Sequence, residues 1–240
     1  FIALALNLFF DPEFTRADKA VSAYVQSLRT PALDKIMIAV TMLGDGKVLA
    51  ALALAMVAVI GWHRRWRLAG AVAAAFIGAS LFVPVLKSII QRARPTDLYS
   101  GAESFSFPSG HATLSATIIG IAVLLGANGL SRRRRLTAFL AGIAVIVVIA
   151  FSRVYLAAHW PSDVLAGVSF GLMVVFALAF LLHRRMSSAL SNRLALVTIL
   201  VALVSYGVHY ATGYGPAMRM YAFEPRLTTI TPAQWRAQPL

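Results

Sequence analysis

The sequence predicts an all-α protein, a polytopic transmembrane bundle of about six helices. Of its 240 residues, 59% are hydrophobic and 13% are charged, against roughly 25% charged residues in soluble domains. Apolar runs of about 20 residues, the length that crosses a bilayer, alternate with short polar loops. The net charge of +13 lies mainly in those loops. It therefore predicts contact with anionic lipid rather than with nucleic acid.

Residues 1–35 are predicted to lie at the membrane surface or partly within it. The segment 1–10 is apolar but too short to span a bilayer, so it is interpreted as a partial first span or an interfacial segment. From 11 to 34 the chain is more polar, and Pro31 breaks it. A short amphipathic helix is expected there, with an apolar face formed by Val21, Tyr24, Val25 and Leu28.

Residues 36–211 form the predicted transmembrane domain. The expected spans fall at about 35–62, 68–90, 109–130, 136–158, 161–182 and 194–211. Gly44-Asp45-Gly46 interrupts the first of these, so a continuous helix is expected from about Lys47. Pro84 is expected to kink the second, because it lacks a backbone donor. Residues 212–240 are predicted to be an extended outward-facing tail or a linker.

Charge distribution predicts which loops face which side of the membrane. The loops 62–67, 131–135 and 183–193 hold ten of the 22 Lys and Arg residues and none of the nine acids. They alternate along the chain with polar loops at 91–108 and 153–163. Because basic loops stay in the cytoplasm, the polar loops are predicted to face outward.

Those outward loops concentrate groups that bind anions. Lys87, Arg94 and Arg153 lie at or near predicted helix ends. Ser109 and Gly110 open a helix, whose free amides attract anions, and glycine lets an anion approach the backbone closely. Arginine also matches the oxygens of phosphate with two parallel bonds. This combination predicts a site for a dianionic tetrahedral oxoanion.

Two histidines supply the predicted chemistry. Asp163 follows His159 by four residues, so its carboxylate can fix the imidazole tautomer and leave the other nitrogen as a nucleophile. His111 can then protonate the leaving group. These roles predict phosphoryl transfer through a phosphohistidine. Two histidines and a carboxylate can also bind a metal, but three nearby cations disfavour one, and no cofactor is expected.

Three motifs make the prediction specific: K-x6-R-P at 87–95, P-S-G-H at 108–111 and S-R-x5-H-x3-D at 152–163. Together they resemble the signature of the type-2 phosphatidic acid phosphatase superfamily, which includes lipid phosphate phosphatases and is similar at its site to vanadium-dependent haloperoxidases. The resemblance covers about 36–185. It implies a six-helix membrane bundle with a metal-independent, outward-facing site. It also assigns the site residues: Lys87, Arg94 and Arg153 to phosphate, Ser109 and Gly110 to added hydrogen bonds, His111 as acid, His159 as nucleophile and Asp163 as its orienting partner.

The resulting hypothesis is a lipid phosphatase of the bacterial cytoplasmic membrane, acting at the periplasmic face. Undecaprenyl diphosphate is the preferred substrate, because recycling of this carrier needs an outward-facing phosphatase. Phosphatidic acid and phosphatidylglycerophosphate follow closely. A phosphotransferase that moves phosphate from one lipid to another, such as lipid A, would use the same site. A non-catalytic lipid transporter with a vestigial site is the remaining alternative.

The other polar residues are given structural roles. Arg92 falls outside the signature and is interpreted as an anchor at the membrane surface. His209 and Trp160 are interpreted as interfacial. The residues expected in solvated loops are His63, Asp97, Tyr99, Glu103 and His183.

Overall fold

The computed structural model describes residues 12–96, 104–181 and 188–221. Within them the chain forms eight helices. They are α1 (Pro12–Ser27), α2 (Pro31–Leu43), α3 (Gly46–Trp62), α4 (Trp66–Ile90), α5 (Gly110–Gly126), α6 (Arg132–Tyr155), α7 (Pro161–Leu181) and α8 (Ser188–Tyr221). Predictions made for segment 1–10, Asp97, Tyr99, Glu103 and His183 lie outside the described residues.

The helical membrane bundle predicted from the sequence is confirmed. Five segments are long and apolar enough to cross a membrane: α2 with α3, α4, α6, α7 and the greater part of α8. Helix α5 is shorter but also apolar, and it completes the six expected spans. It lies at the centre of the bundle, in contact with α3, α4, α6, α7 and α8. The first turn of this central helix is therefore enclosed by its neighbours.

Helix α5 packs most extensively against α7, and two glycines of α7 allow the close approach. A Cβ at Gly171 would lie 2.6 Å from Cβ of Ala116, and one at Gly167 would lie 2.7 Å from the carbonyl oxygen of Ser109. Small residues four apart let membrane helices bring their backbones together. The amide of Ser109 also donates to the carbonyl of Asp163 at 3.0 Å. The first turns of α5 and α7 are thus held side by side.

Helix α1 forms as predicted. Of the apolar residues noted there, Val25 is buried, whereas Val21 and Tyr24 are exposed on the surface of the bundle. Asp18 and Ser22 share the buried face with Val25, and this face packs against α6 and α7. The two polar residues on that face were not predicted to be buried.

Helix α8 is longer than expected. The last span was predicted to end near Ala211, but α8 continues through Pro216 to Tyr221. Tyr221 is buried, and its carbonyl accepts from Nη2 of Arg29 at 2.7 Å. Residues 212–221 are therefore part of the helix and not of an extended tail. The remainder of that predicted tail lies outside the described residues.

Two smaller predictions concern breaks in the helices. The interruption at Gly44-Asp45-Gly46 is confirmed, since α2 ends at Leu43 and α3 begins at Gly46. The turn is so short that α2 and α3 make one membrane-spanning segment from Pro31 to Trp62. Pro84 lies inside α4 without ending it.

Candidate active site

A cavity of about 310 Å³ at one end of the bundle contains most of the predicted site residues. Its walls come from the turn between α2 and α3, the second half of α4, the first half of α5 and the residues around α6 and α7. The predicted residues that line it are Lys87, Arg94, Gly110, His111, Arg153 and His159. Ser80, Val83, Pro84 and Leu114 add part of the remaining wall.

Three cations face this cavity from separate parts of the chain. Lys87 is in the last turn of α4, Arg94 follows that helix, and Arg153 is in the last turn of α6. All three are buried. Buried cations are strongly attracted to an anion because little water screens them. The cavity therefore has the charge and size to hold a phosphate group.

Protein contacts fix the two arginines in place. Nη1 of Arg94 donates to the carbonyl of Ala158 at 2.5 Å. Nη1 of Arg153 donates to Oγ1 of Thr41 at 2.7 Å and to the hydroxyl of Tyr221 at 3.1 Å, and its guanidinium lies 5.4 Å from the Tyr221 ring centre. Tyr221 was not predicted to reach the site, because residues 212–240 were expected to form an extended tail.

His159 sits in the turn between α6 and α7 with its two ring nitrogens facing different groups. Nε2 lies 3.1 Å from Nη1 of Arg94, and Nδ1 lies 3.5 Å from Oδ2 of Asp163. The predicted partners are therefore adjacent, at a distance longer than a well-formed hydrogen bond. Such bonds are often long before substrate binds. As predicted, α7 begins at Pro161, which places Asp163 in its first turn.

The surroundings of His159 keep its imidazole neutral. Burial lowers the pKa of His159 well below its ordinary value, and the positive charges of Arg94, Arg153 and Lys87 lower it further. A neutral imidazole retains a nitrogen lone pair, which a nucleophile requires.

The interpretation of Arg92 as a membrane anchor was wrong. Its Nη1 donates to Oδ1 of Asp163 at 2.5 Å and to Oγ of Ser162 at 2.7 Å, and its Nη2 donates to Oδ2 of Asp18 at 2.6 Å. Asp163 also accepts from the amide of Trp160 at 2.9 Å. Arg92 is thus the link between the carboxylate next to His159 and the rest of the structure.

Helix α1 contributes to this network through Asp18. Besides Arg92, its carboxylate accepts from the amide of Ser162 at 2.9 Å and from the Ser162 hydroxyl. Asp18 is 5% exposed, and a buried carboxylate needs such partners. The sequence did not single it out, because the same helix also carries Glu13, Arg16 and Lys19, and no local spacing connected Asp18 with residues near 162.

Trp160 also has a role beyond the predicted membrane interface. Its Nε1 donates to the carbonyl of Ala93 at 2.9 Å, and the Arg92 guanidinium lies 5.5 Å from its ring centre. The Trp160 side chain therefore connects the start of α7 with the loop that contains Arg92 and Arg94.

His111 lies in the first turn of α5, and its partner was not predicted. Its Nε2 lies 2.7 Å from Oδ1 of Asp45. The other carboxylate oxygen of Asp45 contacts Nε2 of His209, from α8. His209 was expected at the membrane interface, and its contact with Asp45 was not predicted. Asp45 had been noted only as part of a helix break, although an acid inside a membrane span is itself a functional signal.

Ser109 and Gly110 begin α5 as predicted. The Ser109 hydroxyl caps the helix by accepting from the amide of Ala112 at 3.5 Å, and Ser109 is fully buried. Gly110 lines the cavity, and among the described residues a Cβ built there would be close to Val83 alone, at 3.5 Å. A ligand oxygen could therefore approach the backbone at Gly110, whereas the predicted contact of Ser109 with phosphate stays a prediction.

The residues weighed as a metal site do not share one ligand position. His159 faces Asp163, whereas His111 faces Asp45. Among the residues that the structure describes, no three His, Asp or Glu side chains are arranged to hold one ion. The donors that line the cavity are mainly cationic, which fits an anion.

Comparison with known proteins agrees with this fold. A helical membrane bundle with buried cations and two histidines at one end has the features expected of a membrane-integral phosphatase. Residues 65–187, about half of the chain, match the PAP2 superfamily. The chain therefore belongs to this superfamily, and it is a hydrolase that acts on lipid phosphates.

Individual relatives fit this assignment. The chain is 34% identical over 166 residues to phosphatidylglycerophosphatase B of Bacillus subtilis, an alignment that covers 67% of this chain and 80% of that protein. It is 35% identical over 83 residues to undecaprenyl-diphosphatase of Sulfolobus acidocaldarius, covering 35% of this chain and 33% of that protein.

A solved structure extends the agreement to the fold. The crystal structure of a transmembrane PAP2-type phosphatidylglycerolphosphate phosphatase from Bacillus subtilis superposes with a TM-score of 0.67 at 28% sequence identity. The alignment covers 75% of this chain and 90% of that one.

Proposed function

We propose that this protein hydrolyses the phosphate of a membrane lipid through a phosphohistidine on His159. The observation that carries the proposal is the position of Nε2 of His159, 3.1 Å from Nη1 of Arg94 in a cavity also lined by Lys87 and Arg153. A phosphate held by those cations would present its phosphorus to the imidazole.

In the first step Nε2 of His159 forms a bond to phosphorus, and the bond from phosphorus to the lipid oxygen breaks. The leaving oxygen takes a proton from His111. Lys87, Arg94 and Arg153 stabilise the charge on the three other oxygens, which is the main contribution a protein makes to phosphoryl transfer. Water then attacks phosphorus, its proton passes to His111, and the bond from phosphorus to nitrogen breaks.

These side chains supply the positive charge that a metal ion supplies in other phosphoryl-transfer enzymes. The proposed reaction therefore runs without a metal ion or other cofactor, with the lipid phosphate as the only partner besides the bilayer and water.

The proposed orientation places the cavity at the periplasmic face of the bacterial cytoplasmic membrane. The turn between α3 and α4, which carries Arg64 and Arg65, lies at the opposite end of the bundle from the cavity. The four arginines that begin α6 also lie at that opposite end. Basic residues favour the cytoplasmic side, which supports an outward-facing site.

Two lipid classes are the proposed substrates. Phosphatidylglycerophosphate is favoured by the longer sequence alignment, which is with a phosphatidylglycerophosphatase. Undecaprenyl diphosphate, preferred on biological grounds, is favoured by a shorter match that covers a third of the relative. The longer alignment makes a lipid phosphomonoester the first substrate to test.

The proposal is tested with purified protein in mixed micelles, in the presence of a chelator, on phosphatidylglycerophosphate, phosphatidic acid and undecaprenyl diphosphate. We expect phosphate release from at least one lipid, unaffected by the chelator and absent in His159→Ala. The matched control is His63→Ala, in the basic turn at the other end of the bundle. Absence of release from every lipid would refute the proposed function, and loss of activity with chelator would refute the metal-independent mechanism.

A further inference from the structure

Besides the Arg92 and Asp18 contacts next to Asp163, the described residues include a second group of titratable side chains beside a proposed catalytic residue. Asp45 lies in the two-residue turn between α2 and α3, and its carboxylate bridges His111 of α5 and His209 of α8. Three parts of the chain that are far apart in sequence thus meet beside the proposed acid. The side chains are partly buried, at 31% exposure for Asp45, 20% for His111 and 17% for His209.

The turn is shaped for this contact. A Cβ at Gly44 would lie 3.2 Å from Cδ2 of His111 and 2.6 Å from Cγ2 of Ile149, so only glycine lets the turn come this close to the imidazole. Gly44 and Gly46, on either side of Asp45, both line the cavity. Glycine at position 44 therefore lets the turn hold the Asp45 carboxylate at the edge of the phosphate site. A residue with a Cβ at that position would push the turn away.

The contact also determines which nitrogen of His111 is available for chemistry. Cδ2 and Nε2 form one edge of the imidazole ring, and both face the turn at Gly44 and Asp45. Nδ1 is on the other side of the ring, and His111 lines the cavity. The proton for a leaving group would thus come from Nδ1, while Nε2–H stays bonded to Asp45.

We propose that Asp45 and His209 are positioning residues for leaving-group protonation. Asp45 accepts from Nε2 of His111 and so fixes the ring with Nδ1 toward the cavity. His209 donates to the second oxygen of Asp45 and holds the carboxylate in place. Neither residue touches substrate, and the proton that reaches the lipid oxygen leaves from Nδ1 of His111.

Asp45 also places a negative charge beside the proposed acid, because its Oδ1 lies 2.7 Å from Nε2 of His111. The same bond holds the ring in place while Nδ1 accepts the proton of water in the second step.

A metal ion on these side chains is the competing interpretation, since two imidazoles and a carboxylate are common ligands. The two Nε2 atoms contact different oxygens of Asp45 directly, as hydrogen-bonding partners do. No group of described residues has the arrangement of a metal site. The positioning role is the one that this geometry favours.

The test uses two substrates whose leaving groups differ. The leaving group of a lipid phosphomonoester is an alkoxide, which needs a proton. The leaving group of undecaprenyl diphosphate is undecaprenyl phosphate, which is stable without one. The rate of phosphoenzyme formation is measured in single turnovers with each substrate. For Asp45→Asn we expect a fall of about 100-fold with the monoester and less than about fivefold with the diphosphate, in the range of general-acid catalysis.

His209→Gln provides a second, independent variant, with an expected monoester-selective fall of about tenfold since it acts through Asp45. In the His111→Ala background, Asp45→Asn should add nothing, because the two residues act as one unit. The matched control is Asp18→Asn, which removes a carboxylate on the His159 side and should slow both substrates equally.

This inference rests on the proposed function, and the outcomes separate the two. If the wild-type protein forms no phosphoenzyme with either substrate, the proposed function fails. If it does, but Asp45→Asn and His209→Gln slow both substrates to the same extent, the positioning role is wrong. A loss on chelation that added metal restores would also overturn it, in favour of a metal at Asp45.

Discussion

The two histidines of the cavity are supported in similar ways by different parts of the molecule. Each imidazole faces a carboxylate, and each carboxylate is held by a further side chain. On the nucleophile side the chain of contacts runs from His159 through Asp163 and Arg92 to Asp18. On the acid side it runs from His111 through Asp45 to His209.

The difference between the two sides is the charge next to the carboxylate. Asp163 bonds a permanent cation, Arg92, which it shares with Asp18. Among the described residues, the Asp45 side chain bonds imidazoles alone, those of His111 and His209. A permanent cation thus holds the carboxylate next to the nucleophile, whereas an imidazole holds the carboxylate next to the acid.

The largest loss of activity is expected when the proposed nucleophile is removed. His159→Ala should reduce phosphate release at least about 10⁴-fold, as loss of a nucleophile does elsewhere. Steady-state release from the preferred lipid measures this. Activity within tenfold of wild type would remove His159 from the nucleophile role, provided that the variant elutes as wild type on gel filtration.

A smaller loss is expected when the outer contacts on the nucleophile side are broken. Asp18→Asn and Arg92→Lys should each slow phosphoenzyme formation by about 10- to 100-fold, since small displacements of a reacting group are costly. Lysine retains the charge of Arg92 but not its fork of donors.

The comparison of the two sides predicts that these losses are independent of the leaving group. Single-turnover rates with a lipid monoester and with a lipid diphosphate provide the check. A loss confined to the monoester would show that Asp18 and Arg92 support the acid and not the nucleophile.

The pH dependence of phosphoenzyme formation should show that His159 is neutral over the physiological range. Protonation at low pH removes the nucleophilic lone pair, so the rate falls as pH drops through the pKa of His159. Burial and the nearby Arg94, Arg153 and Lys87 lower that pKa well below the ordinary 6.5, so the acid limb should lie well below pH 6.5.

Arg94→Gln removes one of those charges and should raise the pKa of His159, which moves the acid limb to higher pH. The position of the limb is compared rather than its height, because Arg94 also faces the phosphate cavity. A limb that stays in place, or moves to lower pH, would contradict this account of the charges.

The smallest expected effect concerns Tyr221. Tyr221→Phe removes the hydroxyl that accepts from Arg153 but leaves the ring beneath its guanidinium. Loss of one such bond should raise KM by about threefold with little change in kcat. A fall in kcat of more than tenfold would assign Tyr221 a direct role in the chemistry.

The parts of the site that could be predicted are those whose residues lie close together in the sequence. Asp163 was paired with His159 because four residues separate them at the start of a helix. The three cations were recognised from short motifs with fixed spacing. The six-span bundle followed from apolar runs that are long enough to cross a bilayer.

The residues missed are those whose partners are remote in sequence. Asp45 meets His111 and His209, and Asp18 meets Arg92, through packing that no local spacing encodes. Asp45 did carry a weak signal, because a charge inside an otherwise apolar span is costly unless it is paired. Identifying the partner required the three-dimensional arrangement of the helices.

The central claim is that the two histidines have distinct roles, and covalent trapping tests it most directly. His111→Ala and His159→Ala are mixed with a lipid diphosphate labelled in its terminal phosphate, quenched with base and digested for mass spectrometry. The account predicts acid-labile label on His159 in His111→Ala and no label in His159→Ala. Label on His111, or any phosphoenzyme in His159→Ala, would contradict it.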